Sequence, residues 1–168
     1  MRNFRIYVGT YEKYNSGSIA GAWVDFENMT KGEFYDAIKK LHSDEEDPEF
    51  MFQDYEVPAA FDKLVSEHGI DDEFFDVRDW YNEQDENTQQ AFDAFVNLGN
   101  DPDPERFEDA YIGQYDSEEE FAEQQAEDMG DLDNVPDYIK NGIDWEIVWN
   151  NGLRFDYDFE DGFVFRNY

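Results

Sequence analysis

Carboxylates are the reactive groups this chain has in number: 44 Asp and Glu stand against 12 Lys and Arg, with two histidines, His42 and His68. A pair of carboxylates can serve glycoside hydrolysis, but among 44 acids some pair always has the right separation, so the count carries no information. Metal-dependent nucleases often need a carboxylate two residues before a lysine. Here Tyr11, Met29, Ala37, Ile38, Phe61 and Tyr138 hold those positions. Neither histidine lies in a metal-ligand spacing, and both are expected at the surface or in loops. The run Asp156-x-Asp158-x-Glu160-Asp161-Gly162 suggests a calcium loop. An EF-hand wants Gly sixth and Glu twelfth, and this chain has Asp161 and Asn167 there. A hairpin with outward acids fits better. There is no Gly-rich phosphate loop and no nucleophile elbow. Without cysteine there is no thiolate nucleophile, disulfide framework or Cys-ligated zinc. The expectation is a non-enzyme with no catalytic, cofactor-binding or metal residues and no cofactor.

What remains informative is how the acids are arranged. Asp72, Asp76, Asp79 and Glu83 recur at spacings of four, three and four, opposite Phe74, Val77 and Tyr81. Like charges so placed destabilise a helix by roughly 0.2–0.5 kcal/mol per pair. A surface shaped only for solubility would intersperse lysines. Between Asp101 and Asp137 the only base is Arg106. The net charge of −32 nearly excludes direct binding to nucleic acid or an anionic membrane, which need Lys and Arg. It suits a decoy for nucleic acid instead. At one charge per about 1.7 Å of duplex axis, it equals roughly 54 Å of DNA. The carboxylates predicted to stand in for phosphates are Asp71, Asp72, Asp76, Asp79, Glu83, Asp85, Glu86, Asp109, Asp116, Glu118, Glu119, Glu120, Glu123, Glu127 and Asp128.

Such a surface needs a fold beneath it. High charge and low hydropathy suggest disorder, but 11 Tyr, 16 Phe and 4 Trp, spaced like core positions, argue for a ring-rich interior. No signal peptide or membrane span is apparent, so a soluble cytoplasmic protein of the bacterial host is expected. The fold class reads as α+β in three segments. Residues 1–60 carry strands over Phe4–Gly9, Ile19–Phe26 and Phe50–Val57, with a helix entered through a Thr30/Glu33 capping box. Residues 61–104 read as all-helical, over Asp71–Glu83 and Asp85–Leu98, with Gly99 ending the second helix. Residues 105–168 begin with helices, one capped by Ser117 and Glu120 and ended by Gly130. A short helix broken near Gly142 follows within Asp137–Trp149. Strands over Leu153–Phe159 and Phe163–Asn167 then join through Glu160-Asp161-Gly162.

The chain resembles the ArdA antirestriction family, DNA mimics carried by mobile elements and phages. The resemblance rests on Ile6-Tyr7-Val8, Lys13-Tyr14-Asn15 with Gly17, Gly21-Ala22-Trp23, and Asp54-Tyr55-Glu56 with Pro58. Further on it rests on Tyr111-x-Gly113-x-Tyr115-x-Ser117, Glu119-Glu120-Phe121-Ala122, Ile143-Asp144-Trp145-Glu146 and Asp161-Gly162-x-Val164-Phe165. Asp85 to Phe95 looks like the family's antirestriction motif. Ile147–Leu153 departs from the Arg-Asp-Leu run usual in the family. The resemblance implies three small domains in an elongated body and a dimer joined through the last. It also implies binding in the DNA groove of Type I restriction–modification enzymes, methyltransferase core and holoenzyme alike. Phe155, Tyr157, Phe159, Phe163 and Phe165 are the expected dimer rings, and Tyr7, Trp23, Phe121 and Trp145 are expected in the core. Two other readings stay open: a mimic aimed at a BREX complex or a CRISPR effector, and an acidic chaperone for a basic protein.

Overall fold

The structure is a computed structural model that describes residues 4–167. It is mixed α and β, and by packing it falls into two compact units, one up to Gln89 and one from Gln90 onward.

The first unit is built on an antiparallel sheet of β1 (Arg5–Thr10), β2 (Ala22–Asp25) and β3 (Phe50–Glu56), in the order β2-β1-β3. Alternation along β1 sends Ile6 and Val8 inward and leaves Arg5 and Tyr7 on the other face. Thr10 ends β1 and caps α1 (Tyr11–Asn15), its hydroxyl accepting the Lys13 N–H at 3.3 Å. Gly21 explains one of the family-like residues: a Cβ there would lie 2.3 Å from the Val8 carbonyl oxygen. Helix α2 (Lys31–Leu41) starts at the Thr30/Glu33 capping box, with both reciprocal bonds made, and buries Phe34 and Ile38. A 3-10 turn (Ala59–Leu64) and a two-residue hairpin of β4 (Val65–Ser66) and β5 (Gly69–Ile70) lead to α3 (Phe74–Glu83). The core is a mesh of rings: Phe4 meets Phe61 edge-on at 5.1 Å, Phe26 meets Phe34 at 5.2 Å and Phe74 at 5.4 Å, and Phe61 meets Tyr81 at 5.2 Å. Each buried ring contributes about 1.5–3 kcal/mol, and each edge-on pair about 0.5–1.5 kcal/mol beyond that.

The unit boundary falls within α4 (Glu86–Asn97). Gly99 follows that helix at φ 100°, where a β-carbon would be strained. Helix α5 (Pro104–Ala110) carries Pro104 in its first turn beneath an Asp103 cap. The second sheet comprises β6 (Tyr111–Gln114), β7 (Tyr157–Glu160) and β8 (Phe163–Arg166), in the order β6-β8-β7. Asp161 (φ 51°) and Gly162 (φ 86°) both take the left-handed conformation of a tight hairpin turn. Helices α6 (Glu118–Asp128), α7 (Asp137–Lys140) and α8 (Trp145–Asn151) complete the unit. Phe121, Ala122, Trp149 and Val164 form one core cluster. Phe107 packs on Phe92 at 5.4 Å and on Phe95 at 5.8 Å.

Four expectations about elements need correction. The stretch after residue 60 is not all-helical, because β4 and β5 close on each other through two residue pairs too short to leave a periodic signal. Strand β6 pairs with β8 from far along the chain. Leu153–Phe155 is a 3-10 turn, so the strand begins only at Tyr157. The first residues assigned to the second strand lie outside it, and Ile19 is 74 % exposed.

Candidate partner-binding surface

Helix α3 fixes the first group of acids. Phe74, Val77 and Tyr81 are buried, which turns Asp76, Asp79 and Glu83 outward. Asp71 and Asp72 precede the helix. The Asp71 carboxylate accepts the Glu73 N–H at 3.1 Å, a local turn that delays the helix to Phe74. The stripe is therefore corrected at its start, and Asp72 is not a helix residue. Asp72 instead hydrogen-bonds the Lys31 ammonium, which holds its carboxyl below the usual range. Asp85 precedes α4 and accepts the Thr88 N–H at 2.9 Å, and that bond lowers its carboxyl as well. Glu86 is exposed in the first turn of α4.

The second unit holds the remaining predicted acids. Asp109 lines a cleft of about 250 Å³ with Arg106, Asp158 and Arg166, small against the roughly 300–1,000 Å³ of ligand pockets. Asp116 donates its N–H to Glu120 at 2.6 Å, and Ser117 caps α6 by accepting from the Glu120 N–H at 3.2 Å. Burial of Phe121 and Ala122 leaves Glu119, Glu123 and Glu127 at four-residue intervals on the exposed face, one charge per about 6 Å of helix. Every predicted carboxylate is exposed except Glu118, which is half-buried. No base stands in the last turn of α6, where Glu127 and Asp128 face the helix's negative end.

Several of the bases are engaged by acids. Arg5 binds Glu56 at 2.7 Å, Lys13 binds Asp44 at 2.9 Å, Lys31 binds Asp72, Arg78 binds Asp79 at 2.9 Å and Arg106 lies 3.8 Å from Asp101. Arg78 is 2 % exposed and also donates to the carbonyls of Phe26 at 2.6 Å and Met29 at 2.7 Å. With one acid set against each of the 12 bases, 44 − 12 = 32 acids remain in excess.

The profile of the antirestriction proteins called ArdA matches residues 6–164. The chain belongs to the ArdA antirestriction family. Membership implies antirestriction activity against restriction–modification enzymes, and ArdA proteins are inhibitors rather than enzymes. No curated protein matches the sequence. Among the described residues no helix is long and apolar enough to cross a membrane.

The residues that mark this chain as ArdA do structural work. Asp144 caps α8 by accepting the Ile147 N–H at 3.1 Å, Tyr115 packs edge-on against Phe121 at 5.1 Å, and Asp161-Gly162 makes the hairpin turn. Phe121 is buried and Trp145 half-buried against the same cluster. Trp23 corrects the core expectation: it is 39 % exposed on the outer face of the first sheet. There Tyr7 packs on it at 5.7 Å and the Arg5 guanidinium lies 4.8 Å above it. Of the five rings expected at a dimer face, Phe163 and Phe165 are buried inside their own unit, Tyr157 and Phe159 are half-buried, and Phe155 is 68 % exposed. His68 is exposed, as expected. His42 is not: it is 1 % exposed, buried where α2 meets β1, with Nε2 3.1 Å from the Val8 carbonyl oxygen. The run His42-x-Asp44-Glu45 was the available signal, since those side chains converge within one turn.

Proposed function

We propose that this ArdA protein blocks restriction by occupying the DNA-binding groove of a Type I restriction–modification enzyme, its exposed carboxylates taking the places of phosphates. The observation that carries this reading is α6. Its outward face bears Glu119, Glu123 and Glu127 without an intervening base, and its acids continue into the last turn, where they oppose the helix dipole. A surface that sacrifices stability for charge of one sign is a surface for a cationic partner. Phosphate contacts dominate sequence-independent DNA affinity, so a carboxylate field needs no base readout and serves against enzymes with different recognition sequences. The reading takes the working form to be a homodimer, and sedimentation at high salt, where repulsion between the chains is screened, reports that state. The functional test is cleavage of unmodified DNA by a Type I enzyme as the protein is titrated in. Protection that rises with the molar ratio of protein to enzyme supports the reading. Cleavage unaffected at large excess overturns it.

A further inference from the structure

We propose that His42, Asp44 and Glu45 form a cation site whose resident occupant is the Lys13 ammonium, and that a divalent transition-metal ion such as Zn²⁺ competes with Lys13 for it. The ammonium nitrogen lies 2.9 Å from His42 Nδ1, 2.9 Å from Asp44 Oδ1 and 3.3 Å from Glu45 Oε1. Two acceptors, His42 Nδ1 and Asp44 Oδ1, thus receive its N–H groups, and Glu45 faces it as an ion pair. One ligand atom from each of the three residues lies within 4.8 Å of the others. Imidazole and carboxylate are the N/O donors that Zn²⁺ takes at about 2.0–2.2 Å.

Two observations separate this site from an ordinary acidic cluster. The first is the imidazole. A carbonyl oxygen only accepts, so Val8 fixes the His42 proton on Nε2 and turns the Nδ1 lone pair toward the cation. A buried imidazole backed by a backbone carbonyl is how metal-ligating histidines are held, and His42 is 1 % exposed. The second is that a cation already sits there, the Lys13 ammonium lying between Asp44 Oδ1 at 2.9 Å and Glu45 Oε1 at 3.3 Å. Glu45 is steadied from behind by the Thr10 hydroxyl, which donates to Oε1 at 2.6 Å. Asp44 is the exposed member, with 64 % of its side chain in water.

The test is Zn²⁺ and Co²⁺ titration, by calorimetry and visible absorption, of the full chain, of Lys13→Met, and of Lys13→Met with His42→Gln. Thermal unfolding checks that each is folded. Lys13→Met is expected to bind one equivalent more tightly than the native chain, and His42→Gln, which removes a ligand outright, to weaken that binding by at least about 10-fold, the least that loss of an outer partner of a ligand typically costs. Equal affinity with and without Lys13, or binding indifferent to His42, overturns the proposal, since the ion would then rest on surface carboxylates. The native chain gives a second reading that needs no substitution. Its His42 Nδ1 resonance in ¹⁵N spectra is expected to move as Zn²⁺ is added, and a resonance that stays in place contradicts the proposal.

Discussion

Arg78 and Asp79 are neighbours in the chain with opposite environments. The guanidinium is buried at 2 % exposure, while the carboxylate it holds at 2.9 Å keeps most of its surface in water. Arg78 also clasps the Phe26 and Met29 carbonyls. The pair thus joins α3 to the segment before α2 and uses one of the outward acids to do so.

Arg78→Met is therefore expected to destabilise the fold by about 2–4 kcal/mol, because two carbonyls lose a charged donor. Asp79→Asn is expected to cost no more than about 1 kcal/mol, since the carboxylate is mostly solvated. Urea unfolding of the two variants beside the native chain checks the order.

That asymmetry divides the α3 acids. Asp76→Asn or Glu83→Gln alone is expected to leave inhibition nearly intact. Changing Asp72, Asp76, Asp79 and Glu83 together is expected to weaken it by a few kcal/mol at most, at roughly 0.5–1 kcal/mol each. The stability gain from relieving like charges is confined to Asp76 and Glu83, because Asp72 and Asp79 each hold a cation. Inhibition titrations beside thermal unfolding read both effects. A single change that abolished inhibition with the fold intact would point to a discrete site.

Much of this was legible in the sequence because it is local. The Thr30/Glu33 box, Pro104 at the start of α5, the Asp161-Gly162 turn and the apolar face of α3 all follow from residues within a few positions of one another. Locating the buried faces also located the outward acids. What escaped depends on distant partners. Lys31 neutralises Asp72 from 41 residues away, and β6 becomes a strand only against β8. His42 reads as a surface residue until β1 supplies the Val8 carbonyl from 34 residues earlier.

The end of α6 offers a sharper separation of stability from function. Glu127→Gln removes an exposed charge from the unfavourable end of the helix dipole. It is expected to raise stability by about 0.3–1 kcal/mol at low salt, while slightly weakening inhibition. Thermal unfolding at low and high ionic strength checks the origin, since the gain must shrink with salt.

Asp158 gives a pH signature of its own. Burial raises its carboxyl above the ordinary value, so its charged form is disfavoured in the folded chain. The resulting penalty is present at neutral pH, shrinks as pH falls through the raised pKa, and is gone below the unfolded carboxylate range near 3.9. Asp158→Asn is thus expected to raise the melting temperature at pH 7 and to leave it unchanged near pH 3. Melting curves of both proteins across that range check it.

Competition for one enzyme surface tests the account most directly. A labelled DNA duplex bound to a Type I methyltransferase core is titrated with this protein, and fluorescence anisotropy and native mass spectrometry follow the complexes at two salt concentrations. Carboxylates acting as phosphates require the DNA to be fully displaced with no ternary species. They also require the affinity to fall with salt, though less steeply than that of DNA, whose condensed counterion atmosphere is denser. A stable complex holding enzyme, duplex and this protein together would contradict the account.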